Sequence, residues 1–256
     1  MKEKIVLIGA GSAMFTRGML FDMMHKGWEC DLALVDIDPD ALNVAERLVR
    51  KMIQARSCKI HLTASTDRRE VLSDATIVIC TIGVGGRRAW EQDVFIPRKY
   101  GIYQPVGDSV MPGGTSRALR MIPAMVDIAK DVLELAPKAL FFNYGNPMAP
   151  VCRGVRKATG ANMIGLCHGV FHVGQYLAEA LGVEAGELEY TAMGMNHLTW
   201  FTEMRVKGQD VIDRLEKFAD EQIAKVSRSE SSPAEVNLFT WSLFKLIKAF
   251  PAVRDR

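Results

Sequence analysis

Two patterns of apolar residues alternate along the chain. One is a short continuous run, as in Lys4-Ile5-Val6-Leu7-Ile8, Leu32-Ala33-Leu34-Val35, Ala75-Thr76-Ile77-Val78-Ile79-Cys80-Thr81, Ala139-Leu140-Phe141-Phe142 and Met163-Ile164-Gly165-Leu166-Cys167. Such runs suit the strands of a parallel sheet, which are covered on both faces. The other is a longer segment with apolar positions every three or four residues, which gives a helix one apolar stripe. Phe15, Met19, Leu20, Met23 and Met24 form one stripe. Leu42, Ala45, Leu48, Val49 and Met52 form a second, on a helix from Pro39 to Ala55 capped by Asp38 or Asp40. Residues 104–114 are polar and glycine-rich and read as a loop, with a long helix opening at Thr115 or Ser116 and running to Glu134. Strand followed by helix, repeated, predicts an α/β fold with a doubly wound parallel sheet. The pattern changes near residue 196. Trp200–Val206 reads as a strand, 227–233 as a serine-rich loop, and 210–226 and 237–247 as helices, the last with Leu238, Trp241, Leu243 and Leu246 inside.

The strand ends carry the chemistry. The first run meets Gly9-Ala10-Gly11-Ser12 and then a helix. Strand, glycine turn and helix in this order open a dinucleotide-binding unit. The glycines let the backbone turn tightly and let a pyrophosphate approach, and the helix N-terminus offers free N–H groups. The third glycine of the usual fingerprint is replaced by Met14. The run ending in Val35 is closed by Asp36, roughly twenty residues past the glycines, where an acid binds a ribose hydroxyl and repels a 2′-phosphate. Gly9, Gly11, Ser12 and Asp36 are therefore candidate cofactor-binding residues, NAD is expected over NADP, and the sheet is expected to be Rossmann-like. Residues 1–196 are assigned to this domain and residues 197–256 to the start of a second, α+β domain. The run ending in Thr81 meets Gly83-Val84-Gly85-Gly86. Open α/β sheets bind ligands at such strand ends, which adds Gly83 to the candidates. Arg87, Arg88, Glu91 and Asp93 follow on a helix, as a solvated face or as ligand contacts. Asn143 and Asn146 stand at the edge of the next strand. Asparagine serves turns for backbone reasons, but two at this edge favour ligand contact.

Composition narrows the function. The chain has 256 residues, 48% hydrophobic and 24% charged, which suits a globular protein with a substantial core. The net charge is +2 with no basic block, so nucleic acid is not an expected partner. No apolar run is long enough to span a bilayer and the N-terminus does not read as a signal peptide, so no membrane partner and a cytoplasmic location are expected. Five cysteines without framework spacing fit a reducing compartment.

Cys167 follows a strand, and His197 lies in a turn thirty residues later. A thiolate and an imidazole together suit a borderline transition metal. The plainer reading is a buried cysteine and a hydrogen-bonded histidine. His168 and His172, four apart near a helix start, form a rival ligand pair. Taken in order, Gly9-Ala10-Gly11-Ser12, Pro112-Gly113-Gly114-Thr115-Ser116-Arg117-Ala118-Leu119-Arg120, Asn143-Tyr144-Gly145-Asn146-Pro147, Gly165-Leu166-Cys167-His168-Gly169 and Gly194-Met195-Asn196-His197 closely resemble glycoside hydrolase family 4, over the whole chain. The resemblance implies a fold similar to lactate and malate dehydrogenases. It implies NAD and a divalent metal, usually Mn²⁺, with Cys167 and His197 as the metal ligands. It places Asn146 against the sugar and Asn143 beside the nicotinamide. Family members that act on phosphosugars carry Asp or Asn right after the metal cysteine. His168 in that place resembles members that act on unphosphorylated α-galactosides, α-glucosides and α-uronides. Histidine can serve as the acid because it titrates near neutrality. The Asn-Tyr-Gly-Asn-Pro motif resembles the uronidase branch most.

The reaction implied is an exception to two-carboxylate glycosidase chemistry. NAD⁺ oxidises the sugar at C3, the metal assists loss of the C2 proton, the C1–oxygen bond is eliminated, water adds, and the hydride returns. The base in the family is a tyrosine or an aspartate in the C-terminal half, and Asp255 lies in a stretch that resembles a motif near that site. Full-length relatives continue beyond it as homo-oligomers, dimers or tetramers, so the chain is expected to lack part of the family's C-terminal region. Two other classes compete: a metal-independent dehydrogenase of a hydroxy acid, and a nucleotide-binding fragment without turnover.

Overall fold

The computed structural model describes residues 3–104, 107–195 and 198–252. One compact unit ends at Leu166 and a second begins at Cys167. In the first, β1 (Glu3–Ile8), β2 (Cys30–Val35), β3 (Ile60–Ser65), β4 (Ile77–Cys80), β5 (Leu140–Asn143) and β6 (Met163–Gly165) form one sheet in the order β3-β2-β1-β4-β5-β6. All its pairings are parallel. This is the doubly wound order, and it reverses between β1 and β4, where such sheets open a crevice for ligands.

The helices of this unit are α1 (Ala13–His25), α2 (Pro39–Arg56), α3 (Arg69–Leu72), α4 (Gly86–Arg98), α5 (Met111–Leu135) and α6 (Met148–Thr159). Alternate residues of β1, β2 and β4 enter different cores. Ile5 and Leu7 pack with Leu20 and Met23 of α1 and Leu42 and Val49 of α2. Val6, Ile8 and Val78 pack with Met121, Met125 and Ile128 of α5. Burial on both faces is why these strands read as unbroken apolar runs. Asp38 caps α2, its side chain accepting from the backbone N–H groups of Asp40 and Ala41, with Pro39 in the first turn.

Two helices of this unit differ from the expected pattern. In α1 the inward residues are Thr16, Leu20, Met23 and Met24, whereas Phe15 stays partly exposed with its ring 5.5 Å from that of Tyr144. Thr16 tolerates burial because its hydroxyl donates to Ala10 O at 2.7 Å. The second difference is that α5 opens at Met111, before the expected Thr115. Proline is at home in a first helical turn, and the glycines are there because the backbone is crowded. A Cβ on Gly113 would stand 2.7 Å from Asp93 O, and one on Gly114 would stand 2.4 Å from Ser109 C.

The second unit holds α7 (Gly169–Leu181), β7 (Leu188–Met195), β8 (Leu198–Val206), β9 (Gln209–Asp210), α8 (Ile212–Ser227), α9 (Leu238–Ile247) and β10 (Phe250–Pro251). Its antiparallel sheet runs β10-β8-β7, with β9 paired to β8. Leu177, Phe201, Met204, Leu215, Trp241 and Phe244 fill its core. Phe244 takes the inward place expected of Leu246, which is 80% exposed. α7 belongs to this core: a Cβ on Gly174 would stand 2.6 Å from the Tyr190 ring. The break between compact units therefore precedes α7, and the antiparallel sheet begins with β7 at Leu188, ahead of the change in apolar pattern near residue 196. Among the described residues no helix is long and apolar enough to cross a membrane.

Candidate functional site

In the first unit the candidate residues gather at the C-terminal ends of β1, β2, β4 and β5. Gly9 turns the chain out of β1 with φ +89°, and a Cβ there would stand 2.9 Å from Ile82 N. Thr81 Oγ1 donates to Gly9 O at 3.0 Å, so the ends of β1 and β4 are locked together. Ser12 is the residue before α1, and its side chain makes no capping bond. Gly11 N donates to Asp36 Oδ2 at 2.7 Å, and Asp38 N donates to Asp36 Oδ1 at 3.0 Å. A Cβ on Gly11 would stand 2.7 Å from Asp36 Oδ2 and 2.8 Å from Ala41 Cβ, so a side chain there would force the acid or α2 to move. The bare turn and the acid at the end of β2 form one hydrogen-bonded unit. Met14, at the place of the missing third glycine, lies exposed.

After β4, Gly85 adopts φ +81° and precedes α4. The charged residues of α4 divide in two. Arg87 pairs with Glu91 on the surface. Asp93 is 4% exposed, and it accepts two bonds from Arg120 of α5, at 2.9 and 2.6 Å. This bonding holds the Arg120 guanidinium above its usual range. Arg120 Nε is buried without a partner among the described residues. The pair joins α4 to α5 beneath the rim.

After β5, Asn143 is wholly buried. Its Oδ1 accepts from Gly145 N at 2.8 Å and its Nδ2 donates to Gly145 O at 3.0 Å, so its side chain shapes the turn. Asn146 is half-buried, and its Nδ2 donates to Asp108 Oδ2 at 2.9 Å. Arg117 Nε donates to Asn146 O at 3.0 Å. Neither Asp108 nor Arg117 stands out in the sequence as a partner of Asn146. Asp108 sits in the 104–114 stretch that reads as a rim loop, but nothing there marks one acid as the partner of Asn146.

In the second unit, Cys167 is exposed, and its Sγ accepts from Gly169 N, the first residue of α7, at 3.4 Å. His168 precedes α7, and its ring lies 4.9 Å from that of His172. Among the described residues no three His, Cys, Asp or Glu side chains gather to hold a metal ion. His197 and Asp255, the second expected metal ligand and the expected base, lie outside the described residues.

A six-stranded doubly wound sheet with a glycine turn tied to an acid defines the first unit as a Rossmann-type domain. The chain belongs to the family 4 glycosyl hydrolases: that family's profile matches residues 4–183, and the profile of its C-terminal domain matches residues 192–255. An α-galactosidase of Rhizobium meliloti is 38% identical over 211 residues, 81% of this chain and 43% of the relative. An α-galacturonidase of Bacillus subtilis is 31% identical over 99% of this chain and 59% of its own length. A solved 6-phospho-α-glucosidase from gut microorganisms, in complex with NAD and glucose-6-phosphate, is 25% identical with a TM-score of 0.82, over 98% of this chain and 57% of that one. The chain thus spans about half the length of the curated relatives it matches.

Proposed function

We propose that this chain carries the nucleotide- and metal-binding part of an enzyme that hydrolyses unphosphorylated α-glycosides, α-galacturonides or related α-uronides above all. The observation that carries the reading is the exposed Cys167 at the head of α7, followed by His168, in a chain whose first unit holds a glycine turn on Asp36. The relatives named as α-galactosidase and α-galacturonidase support it, and so does the NAD in the solved relative.

The residues fit the groups required. A side chain at Gly9 or Gly11 would strike neighbouring atoms, so the backbone there is bare where a pyrophosphate approaches. Cys167 presents its sulfur at the surface, and a thiolate with the imidazole of His197 is a donor set for a borderline cation such as Mn²⁺. When bound, the nicotinamide exchanges a hydride with sugar C3, and the divalent cation stabilises negative charge on the C2 and C3 oxygens. Protein residues do the remainder. Asp36 holds the adenosine ribose, Asn143 fixes the turn by the nicotinamide, and Asn146 orients the sugar. His168 protonates the leaving oxygen, and Asp255 takes the C2 proton. The full-length protein works as a homo-oligomer in the cytoplasm.

The test is a screen of nitrophenyl α-galacturonide, α-glucuronide, α-galactoside and α-glucoside with NAD⁺ and Mn²⁺ under reducing conditions. Nitrophenol release without net NADH, fastest on a uronide, is expected. Steady accumulation of NADH would make the protein a dehydrogenase instead. A preference for a 6-phosphoglucoside would overturn the substrate class.

A further inference from the structure

We infer that Asp108 is a positioning residue that turns the Asn146 amide so that its carbonyl oxygen, and not its NH₂ group, is left to meet the sugar. The inference rests on the proposed contact between Asn146 and the sugar, and adds what sets its polarity. Asn146 Nδ2 donates to Asp108 Oδ2 at 2.9 Å. An ionised carboxylate only accepts hydrogen bonds. The amide nitrogen must therefore face Asp108, and Oδ1 must face elsewhere. Among the described residues Asn146 Oδ1 has no hydrogen-bond partner, and it is not among the buried unpaired atoms. It is an accessible acceptor held at one orientation.

The holder is itself held. The second Asp108 oxygen accepts from Ser109 Oγ at 2.9 Å, and Ser109 is pressed against Gly114, whose Cβ would stand 2.4 Å from Ser109 C. On the other side of Asn146, Arg117 Nε donates to its backbone oxygen at 3.0 Å. Backbone and side chain of Asn146 are thus clamped by two different residues. A fixed acceptor reads a hydroxyl, which can donate to it, and rejects a deoxy or O-methyl position, which cannot.

The test uses Asp108→Leu, Asp108→Asn, Asn146→Ala and the double variant Asp108→Leu/Asn146→Ala, assayed on the best nitrophenyl glycoside with NAD⁺ and Mn²⁺. NAD⁺ affinity and melting temperature are measured alongside. Asp108→Leu should lose about tenfold or more in kcat, the scale of a misplaced contact, with NAD⁺ affinity unchanged. Asp108→Asn keeps an acceptor for Asn146 Nδ2 and should stay within a few-fold of the parent. The double variant should be no worse than Asn146→Ala alone, because both changes remove one contact. Losses that multiply in the double variant, or full activity in a folded Asp108→Leu, would overturn the inference. An Asn146→Ala protein as active as the parent would remove the sugar contact itself. Side-chain amide resonances of isotope-labelled protein read the geometry without turnover. The Asn146 NH₂ signal should shift in Asp108→Leu and stay near its place in Asp108→Asn, and an unmoved signal in Asp108→Leu overturns the inference as well.

Discussion

The backbone N–H of Gly11 donates to Asp36 Oδ2 at 2.7 Å, so the turn after β1 and the acid after β2 are one object. A carboxylate has about four acceptor sites, and Asp36 spends two of them on Gly11 and Asp38. In the proposed nucleotide site the others are left for ribose hydroxyls, and its charge would oppose a 2′-phosphate. The parent should therefore bind NAD⁺ more tightly than NADP⁺. Asp36→Ala should weaken NAD⁺ binding and narrow the gap between the two, as read by titration of both nucleotides. Equal affinities in the parent would sink the assignment.

Gly11→Ala tests the same object from the other side. The new methyl would stand 2.7 Å from Asp36 Oδ2 and 2.8 Å from Ala41 Cβ. The acid or α2 must move, and overpacking of this kind costs about 1–3 kcal/mol. The variant should melt lower than the parent and bind NAD⁺ more weakly. A variant with unchanged melting and affinity would show that the turn is slack.

Much of this was legible in the sequence, for a physical reason. Strands buried on both faces must be apolar throughout, so β1, β2 and β4 announce themselves. The start of α5 did not, because Gly113 and Gly114 look like loop residues when their work is to let Asp93 O and Ser109 approach. The role of Asp93 was equally hidden. Beside Arg87, Arg88 and Glu91 it reads as part of one charged run, yet its partner is Arg120, on another helix. Asn143 was singled out as a polar group at a strand end. Its two bonds to Gly145 explain why asparagine is needed there whatever binds nearby. A pairing such as Asn146 with Asp108 leaves no local pattern, since hydrogen bonds between distant segments follow from folding and not from spacing.

The Asp93–Arg120 pair gives a stability prediction. Arg120→Met leaves a carboxylate that is 4% exposed without its guanidinium, and stranding a buried charge costs about 3 kcal/mol or more. Asp93→Leu/Arg120→Met removes both charges and should cost less than Arg120→Met alone. Urea unfolding of parent, single and double variants decides this. A double variant less stable than the single would mean that the pair stabilises beyond cancelling its own burial.

Thiol reactivity should follow burial. Burial pushes the Cys80 thiol up to about 12 and raises that of Cys152, and Cys30 is buried, whereas Cys167 is exposed. Thiolate is the reactive form. Alkylation of the native protein at neutral pH should label Cys167 before Cys30, Cys80 or Cys152, as peptide mapping by mass spectrometry would read. Early labelling of Cys80 would contradict the packing of β4.

The last prediction concerns the metal. Cys167 Sγ is accessible and its described contact is the N–H of Gly169, so nothing in its own unit's core depends on it. Cys167→Ser should therefore leave folding intact and NAD⁺ binding nearly unchanged, since the residues proposed to hold the nucleotide follow the first strands. If Cys167 is a ligand, Mn²⁺ affinity should fall sharply, because a hydroxyl is a far weaker donor than a thiolate. His197→Ala should do the same. His168 and His172 supply the control: their rings lie 4.9 Å apart, close enough to compete as a pair. If they hold the ion, His168→Ala abolishes binding and Cys167→Ser does not. Mn²⁺ should also protect Cys167 from alkylation in the parent but not in His197→Ala. Titration of Mn²⁺ into the parent and the three variants separates these cases. Unchanged affinity in both Cys167→Ser and His197→Ala would remove these two residues from the metal site.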